Sequence, residues 1–284
     1  MEIISHETPV HVNTDVASER SGRAKEQLVS VVIPTYHEVE NLMPLVTRIC
    51  GAMSKAQQSY EIILVDDDSR DGTEQVVSEL TDLGYPVRLI TRKGEKGLSS
   101  AVIRGFSEAN GETFVCMDAD LSHPPEAIPN MLECLREPGV DFVVGSRYVL
   151  GGSTDERWGV LRWINSKVAT ALARPFTSIK DPMAGFFAIS RTVYEKAAAL
   201  NPIGYKIGLE LIVKCDCSVI KEIPIRFAQR QFGKSKLSLA EQLNYLRHLK
   251  RLLEFKYGNF STAVQFFNWP ADILRRLTAM FRAR

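Results

Sequence analysis

An apolar run ends abruptly in two carboxylates in the segment Phe114-Val115-Cys116-Met117-Asp118-Ala119-Asp120-Leu121-Ser122-His123-Pro124-Pro125. The proline pair disfavours a helix directly after the acids, so the segment predicts a buried strand that opens into an extended loop. Ligands of open α/β sheets bind outside the carboxyl ends of strands, and alternate residues of an extended segment point the same way. Asp118 and Asp120 can therefore converge on one point and hold a divalent cation, which favours such oxygen ligands. An isolated D-x-D triplet is also compatible with a solvated loop.

The chain before this segment alternates between short apolar runs and helical patterns. Strands are predicted at 30–36, 60–65, 87–90 and 113–117, and the intervening segments carry apolar residues at helical spacing, with the third helix at 98–109. Strands that alternate with helices of this length indicate right-handed βαβ units. We therefore expect an α/β fold with a Rossmann-like, mostly parallel sheet flanked by helices.

The loops after these strands carry acids where a dinucleotide-binding protein would carry glycines. Neither G-x-G-x-x-G nor G-x-x-x-x-G-K-[ST] follows a predicted strand, which removes the main support for a dehydrogenase or a P-loop protein. Acids follow strand one (Glu38), strand two (66–68) and strand four. Such acids can bind a base, ribose hydroxyls or a cation that holds a diphosphate, so we expect a nucleoside diphosphate with a metal. We assign Asp67 to the ligand, and Ser69 and Asp71 to a local turn and helix cap.

Composition and charge bound the remaining possibilities. With 284 residues, 45% hydrophobic, the chain can form one large domain with an appendage. Residues 226–284 hold twelve lysines and arginines against three acids, a net charge of +9, which leaves −8 for the first 225 residues. This asymmetry suggests an anionic partner at the C-terminal end, which we take to be a membrane rather than a nucleic acid. Five cysteines, an odd number, favour a reducing, cytoplasmic compartment.

Six ordered motifs carry a resemblance to a known family. They are Val32 to Leu42 (VIPTYHEVENL), Val65 to Thr73 (VDDDSRDGT), Lys96-Gly-Leu98, Met117 to Pro125 (MDADLSHPP), Gly145-Ser-Arg-Tyr148 and Phe232 to Leu237 (FGKSKL). Over residues 28–245 the chain resembles family 2 glycosyltransferases, and among them the dolichol-phosphate (polyprenol-phosphate) mannosyltransferases. The resemblance implies a GT-A fold, a GDP-mannose donor, Mg²⁺ or Mn²⁺, inversion at the anomeric carbon and a dolichyl or polyprenyl phosphate acceptor.

The resemblance also implies residue roles. The donor nucleoside is assigned to Pro34, Tyr36, Glu38, Val65, Asp67 and Lys96. The metal is assigned to Asp118 and Asp120, with Ala119 in the donor site and Ser122 as a third ligand. Some relatives carry Gln where this chain has Ser122, which puts the metal preference in doubt.

Cationic residues are assigned to the two phosphate groups in the same way. Arg147, Arg162 and Ser166 resemble an acceptor-phosphate site, and Arg230 and Lys236 resemble donor-diphosphate contacts on a mobile loop. The catalytic set is then Asp118, Asp120, Arg147 and Arg230. Asp181, which with Gly185 frames the sugar pocket in the family, and Glu210 are each expected either to contact the sugar or to act as a structural cap.

The acceptor class also follows from chemistry. A hydroxyl acceptor needs a positioned general base, whereas a lipid phosphate is already an anion. Neither His123, before two prolines, nor His248, in a late basic segment, is an obvious base, although the carboxylates of Asp118, Asp120 and Asp181 are alternatives for that role. The alternatives are a polyprenyl-phosphate glycosyltransferase that uses a UDP-sugar such as UDP-glucose, and a nucleotide-sugar binding protein without turnover.

The ends of the chain complete the predicted organisation. Residues 1–27 lack the apolar core of a secretory signal and are predicted to be a disordered arm. Residues 28–237 form the predicted GT-A domain, and 238–284 are predicted basic amphipathic helices. The chain has no apolar run long enough to span a bilayer, so we expect peripheral contact with the cytoplasmic face of a membrane. The alternative is that these helices pack on the domain or on a second subunit.

Overall fold

The computed structural model describes residues 27–154, 160–228 and 239–258 of the chain, with the side chains of 160–164 and 239–240 also outside the description. Nine strands and eight helices are assigned within these ranges. The strands are β1 Val29–Thr35, β2 Tyr60–Asp66, β3 Val87–Thr91, β4 Thr113–Cys116, β5 Phe142–Ser146, β6 Ser153–Thr154, β7 Phe187–Ser190, β8 Ile220–Pro224 and β9 Arg226–Phe227. The helices are α1 Val39–Lys55, α2 Thr73–Asp82, α3 Leu98–Glu108, α4 Ile128–Leu135, α5 Val160–Ala173, α6 Arg191–Tyr194, α7 Ile207–Lys214 and α8 Leu239–Tyr257. The predicted alternation of strands and helices up to β4 is confirmed.

Seven strands form one mixed sheet in the order β3-β2-β1-β4-β7-β5-β8. Strands β1 to β4 are parallel to one another, β7 is antiparallel to both β4 and β5, and β8 returns parallel to β5. The predicted mostly parallel sheet is therefore confirmed, and β7 is its antiparallel exception. The direction of strand numbering reverses between β1 and β4, which is where open α/β sheets bind ligands.

Alternate residues of β1 face two separate cores. Val31 and Ile33 pack with α1, α2 and α4 on one face, while Val32 packs with α3 and α7 on the other. Both faces of the sheet are therefore covered, and the strands read as continuous apolar runs because neither side meets water. The loops at the carboxyl ends of the strands remain as the open edge.

Pro34 lies inside β1, although a proline has no backbone N–H to donate to a neighbouring strand. The carbonyl of Val32 accepts a hydrogen bond from the Met117 amide, so the nitrogen of Pro34, two residues later, faces the same side. Pairing between β1 and β4 ends at Val32 and Cys116, so no ladder hydrogen bond is lost there. The strand continues along β2 as far as Thr35.

The helix α8 packs on the domain through part of its apolar surface. Leu249, Leu252 and Leu253 are buried in a third cluster with residues of α5 and α7, whereas Leu243 and Leu246 are exposed. The amphipathic surface proposed for 239–253 is therefore split, because Leu249 and Leu253 belong to a core. None of the helices in the described ranges is long and apolar enough to cross a membrane. Residues 1–26 of the predicted arm and the segment 259–284 lie outside the described residues.

Candidate active site

The acids that follow β1, β2 and β4 meet at the carboxyl edge of the sheet, as predicted. Strands β2, β1 and β4 are neighbours in that order, so the loops that begin at Tyr36, Asp67 and Met117 leave the sheet side by side. The strand order runs outward in opposite directions from β1 and from β4. A crevice is therefore expected at the carboxyl ends of those two strands. The geometry therefore places the candidate nucleoside and metal residues on one edge.

Tyr36 and Lys96 contact each other at the nucleoside end of this edge. The Lys96 ammonium donates to the Tyr36 hydroxyl at 2.8 Å and lies 4.6 Å from the centre of its ring. This contact raises the pKa of Lys96. Glu38 accepts a hydrogen bond from the Asn41 side chain at 2.7 Å, at the start of α1. Val65 points into the core and is fully buried, so its side chain is not available to a ligand and only its main chain reaches this edge.

The residues after β2 divide between local structure and the site. The Asp66 carboxylate accepts hydrogen bonds from the Ser69 backbone amide, at 2.8 Å, and from the Ser69 hydroxyl. Asp71 accepts the amide and hydroxyl of Thr73, the first residue of α2, at 3.1 and 2.7 Å. The turn role predicted for Ser69 is confirmed. The N-cap residue of α2 is Gly72, and Asp71 contacts the first helical residue from the position before it. Asp67 is buried and bonded within the chain to Arg92 and to the Gly97 amide.

The two candidate metal ligands have different surroundings in the acidic loop, residues 117–124. Asp120 is 3% exposed, and its Oδ1 accepts the amide of Ser122 at 3.0 Å and the hydroxyl at 2.5 Å. Leu121, between them, has a φ of 61°, an uncommon left-handed conformation for a leucine. The side chain of Asp118 is 27% exposed. Asp120 is therefore fixed by the loop, while the side chain of Asp118 is partly open to solvent.

Asp118 and Asp120 fit a hard divalent cation whose coordination shell is completed by the substrate. Within the described ranges, no group of three or more His, Cys, Asp or Glu side chains is arranged for a metal. Two carboxylates are nevertheless the usual protein share for Mg²⁺, which takes its other ligands from water and substrate phosphates. Gly185 leaves room beside the acid, because a Cβ at this position would lie 3.2 Å from Asp118 Oδ1. Ser122 donates its hydroxyl proton to Asp120, and its oxygen lone pairs could still face a cation.

His123 fixes the position of Asp118 rather than acting as a base. Its ring is 2% exposed, stacks on Phe186 with centroids 5.2 Å apart, and meets Phe227 edge-on. The Asp118 amide donates to His123 Nδ1 at 3.1 Å, so this ring nitrogen is engaged inside the acidic loop. The histidine of the acidic loop is therefore a structural support.

Arg147, at the end of β5, pairs with Asp181 instead of standing open for phosphate. Its Nε and Nη2 donate to the two oxygens of Asp181 at 2.7 Å each, and its amide donates at 3.1 Å. Asp181 is fully buried, and Glu222 on β8 accepts the amides of Lys180 and Asp181. Of the two roles expected for Asp181, sugar contact or structural cap, the structure shows a structural one, because its buried carboxylate orients Arg147.

Two lysines join Arg147 in a cation cluster that sequence reasoning missed. Lys206 donates to the carbonyl of Met183 at 3.0 Å, and burial lowers its pKa to about 8, with the charge of Arg147 adding to the effect. Burial also lowers the pKa of Lys167, which lies 4.1 Å from the centre of the Tyr148 ring. We refer to Arg147, Lys167 and Lys206 as the cation cluster. Isolated lysines in sequence carry no signal of this proximity.

Other predicted phosphate contacts are only partly described. The Ser166 hydroxyl lies 2.7 Å from the Tyr148 hydroxyl, beside the cation cluster. Arg162 lies on α5 with Ser166, four residues apart as predicted, but its side chain is outside the described residues. Arg230 and Lys236 fall in 229–238, also outside them. Ala228, the last described residue before that segment, lies beside the acidic loop, because its amide donates to the Ser122 carbonyl at 3.0 Å.

Glu210 belongs to a buried ion pair away from the acidic loop. Its carboxylate is 2.7 Å from His248 Nε2 on α8 and 2.9 Å from Lys214 Nζ, and it accepts the amide of Asn201 at 2.7 Å. The hydrogen bonds of His248 and Lys214 outweigh burial and lower the pKa of Glu210. Of the two roles expected for Glu210, the structural one is confirmed. His248 is likewise engaged as a structural partner.

Comparisons with known proteins agree with this arrangement. The chain is 47% identical over 236 residues to the dolichol-phosphate mannosyltransferase of Mycosarcoma maydis, which covers 81% of this chain and 80% of that relative. It is 43% identical to the dolichol-phosphate mannosyltransferase of Saccharomyces cerevisiae over 81% of this chain and 88% of the relative.

The fold is shared with more distant solved structures. A mannosyltransferase from Pyrobaculum calidifontis, in complex with GDP-Man and Mn²⁺, superposes with a TM-score of 0.58 at 18% identity, over 80% of this chain and 63% of that one. Residues 30–197 match the sequence profile of glycosyl transferase family 2. These residues hold the described acidic loop, the nucleoside end and Arg147. The chain therefore belongs to glycosyl transferase family 2.

Proposed function

We propose that this chain is an inverting, metal-dependent transferase that moves mannose from GDP-mannose to a dolichyl or polyprenyl phosphate. The observation that carries the proposal is the juxtaposition, at one sheet edge, of Asp118 and Asp120 with a cluster of three cations. The acids suit a cation that binds a diphosphate, and the cations suit a second anionic substrate. The donor and the acceptor are those named by relatives that are 43–47% identical over most of the chain.

The described residues divide the reaction between them. Tyr36, Lys96 and Asp67 lie where the nucleoside binds. Lys167 and Lys206 of the cation cluster orient the lipid phosphate for attack, beside the Arg147–Asp181 pair. A phosphate oxygen bonds to the anomeric carbon as the bond from that carbon to the diphosphate breaks, and GDP leaves with the electron pair. No proton has to be removed from the acceptor, because the phosphate is already ionised.

The two histidines considered as bases support this choice of nucleophile. His123 accepts a hydrogen bond from a backbone amide, and His248 is buried against Glu210. His37, the exposed neighbour of Tyr36, lies at the nucleoside end with its ring 4.2 Å from that of Tyr36. An acceptor that needs no general base therefore suits this site better than a hydroxyl.

Asp118 and Asp120, with Ser122, would hold the divalent cation, Mg²⁺ or Mn²⁺. When bound, the cation neutralises charge that grows on the departing diphosphate. Arg147 is held by Asp181 in a largely buried position, so the net positive charge of the cluster comes from Lys167 and Lys206. Arg230 and Lys236 are proposed to reach the same diphosphate from the segment that follows Ala228.

The membrane side of the proposal rests on charge. Residues 226–284 carry a net charge of +9, and the substrate lipid lies in a membrane whose cytoplasmic leaflet is anionic. We propose peripheral binding to the cytoplasmic face through the C-terminal segment.

The decisive experiment is a radiolabel transfer panel. The purified chain is incubated with Mg²⁺, dolichyl phosphate and one of three donors: GDP-mannose, UDP-glucose or UDP-N-acetylglucosamine. We expect lipid-soluble label from GDP-mannose alone, and its loss after chelation. Transfer from a UDP-sugar instead would replace the proposed donor, and GDP-mannose binding without transfer would indicate a nucleotide-sugar binding protein.

A further inference from the structure

Arg92 is a buried arginine whose whole fork is used inside the chain. It directly follows β3 and is 4% exposed. Its Nε donates to Asp67 Oδ1 at 2.8 Å, and its Nη2 donates to the same oxygen. Nη2 also donates to the Gly97 carbonyl at 3.0 Å, and Nη1 to the Ser100 hydroxyl at 2.9 Å. One side chain therefore ties the end of β2 to the start of α3.

The same contacts close the loop 92–97 on itself. The Gly97 amide donates to Asp67 Oδ2 at 2.8 Å, so both ends of the loop are bonded to one carboxylate. Gly97 has a φ of 137°, a conformation that residues with a Cβ rarely adopt. Lys96, next to this glycine, then reaches the Tyr36 hydroxyl at 2.8 Å. The loop thus joins the ends of β1, β2 and β3.

The burial of the Arg92–Asp67 pair costs free energy, which suggests that the pair has a role in the site. A buried ion pair gives little net stability compared with apolar residues of similar volume, because both charges lose water. It does hold two groups in a single geometry, and guanidinium does so through a rigid fork that lysine lacks. A site held in its binding geometry spends less free energy on ordering when the ligand arrives.

We propose that Arg92 is a positioning residue for the nucleotide donor, which it serves without touching it. It holds the Asp67 carboxylate in place and keeps the loop 92–97 closed, so that Lys96 and Tyr36 form one preorganised wall of the nucleoside subsite. The inference rests on the proposed function, in that this edge binds a nucleoside diphosphate.

Arg88 provides a matched control on the same strand. It pairs with Glu61 at 3.3 Å and donates to the Glu108 carbonyl at 2.5 Å, near the start of β3 and away from the carboxyl edge. Arg88→Met breaks an arginine–carboxylate pair at the other end of β3 and leaves the loop 92–97 untouched.

The test compares Arg92→Lys, Arg92→Met and Arg88→Met with the wild-type chain. Calorimetry measures the binding of GDP and, separately, UDP with Mg²⁺, and kinetics give KM for donor and acceptor as well as kcat. We expect Arg92→Met to weaken nucleotide binding and raise the donor KM by about tenfold or more, since small misplacements of binding groups are costly. Arg92→Lys should have a smaller effect of the same kind. The acceptor KM should stay within about twofold, and Arg88→Met should leave all values near wild type.

A second readout separates positioning from mere stability. Lys96→Ala should weaken nucleotide binding in the wild-type background and have much less effect in Arg92→Lys, because Lys96 acts through the loop that Arg92 closes. Additive effects would overturn the proposed route. An Arg92→Lys variant with nucleotide affinity and donor KM equal to those of wild type would overturn the inference, even if Arg92→Met failed to fold. Absence of mannosyl transfer by a wild-type chain that binds GDP or UDP would count against the proposed function alone, since the binding comparison still applies.

Discussion

At the scale of single residues, the two carboxylates of the acidic loop have unequal tasks. Asp120 is buried and held by Ser122, whereas Asp118 is partly exposed, faces Gly185 and donates its amide to His123. The Asp118 carboxylate can therefore adjust to the ligand, whereas the Asp120 carboxylate is held in one position. Removal of either charge should affect the reaction more than the fold.

Asp118→Asn and Asp120→Asn should each lower kcat by at least about 100-fold, the usual scale for loss of one electrostatic group at a reacting centre. Asn keeps the shape of the side chain and, at position 120, an acceptor for Ser122. The measurement is kcat at saturating donor and Mg²⁺, with the melting temperature as a check of folding. Wild-type turnover in either variant, or after thorough chelation, would contradict the metal assignment.

Gly185→Ala should raise the Mg²⁺ concentration needed for half-maximal activity by several-fold. Its Cβ would lie 3.2 Å from Asp118 Oδ1 and 3.4 Å from Oδ2, so the carboxylate must move away. Gly51→Ala, on α1 with nothing within 4 Å of the added Cβ, is the control and should raise stability by about 0.5–1 kcal/mol. Equal Mg²⁺ dependence in the two variants would show that Asp118 tolerates the methyl group.

Lys206 should make activity sensitive to alkaline pH. Its pKa is lowered to about 8, so the ammonium is charged below that pH and loses its charge as the pH rises through it. We expect kcat/KM to fall above pH 8, by at most about tenfold per pH unit. Lys206→Arg, which stays charged, should shift the fall to higher pH, whereas Lys221→Arg, paired with Glu137 away from the cluster, should not. An unchanged profile in Lys206→Arg would remove Lys206 from the reaction.

At the scale of elements, α8 is attached to α7 through the pair Glu210–His248 and to α5 through the Tyr245 hydroxyl, which donates to Ala169 O at 2.8 Å. Both members of the pair are almost fully buried, and His248 Nδ1 has no hydrogen-bond partner in the described part of the chain. The helix follows the segment that carries Arg230 and Lys236. These two contacts fix α8 on the domain.

Glu210→Gln should lower the free energy of unfolding at pH 7 by about 3 kcal/mol. The reason is that the largely buried Lys214 ammonium loses the negative charge that it pairs with. The folded chain lowers the pKa of Glu210, so its contribution is present above the unfolded value of about 4.3 and is lost as the pH falls through the folded value. Denaturant unfolding from pH 3 to 7 should thus show a shallower acid decline in the variant. Glu254→Gln, which breaks an exposed pair with Lys250, should cost less than about 1 kcal/mol. Equal losses in both would contradict the structural role of Glu210.

At the scale of the whole molecule, charge separates an acidic body from a basic end. The first 225 residues carry −8 and the remainder +9, although the chain as a whole carries +1. Part of that basic end is α8, whose inner leucines pack on the domain while Arg247, Lys250 and Arg251 are exposed. A basic surface of this kind attracts an anionic partner.

Truncation to residues 1–258 should weaken binding to anionic liposomes. The removed segment holds Arg275, Arg276, Arg282 and Arg284, and each basic residue near an anionic surface contributes about 1 kcal/mol. Co-sedimentation of the full chain and the truncated chain at low and high salt measures the effect, which should shrink with salt. Unchanged binding would refute the anchor, and a dimer that becomes monomeric on truncation would identify a subunit contact.

The sequence by itself determined the elements and the chemistry at their ends. Buried strands are apolar on both faces, so β1 to β4 and their helices could be predicted to within a residue or two at most ends. The acids after these strands could be placed at one edge because parallel strands share a carboxyl end. The pair Asp118 and Asp120 needed no tertiary information, since both lie in one short loop.

Only the tertiary structure decided which charges pair. Asp67 with Arg92, Arg147 with Asp181 and Glu210 with His248 are 25, 34 and 38 residues apart. Periodicity records whether a side chain is buried, but it does not record which distant segment packs against it. For that reason the sequence predicted Arg147 as an open phosphate contact and did not indicate Lys206. It also left two roles open for Glu210. The partner of a buried charge is set by the packing of elements, because burial is tolerated only where an opposite charge is brought to meet it.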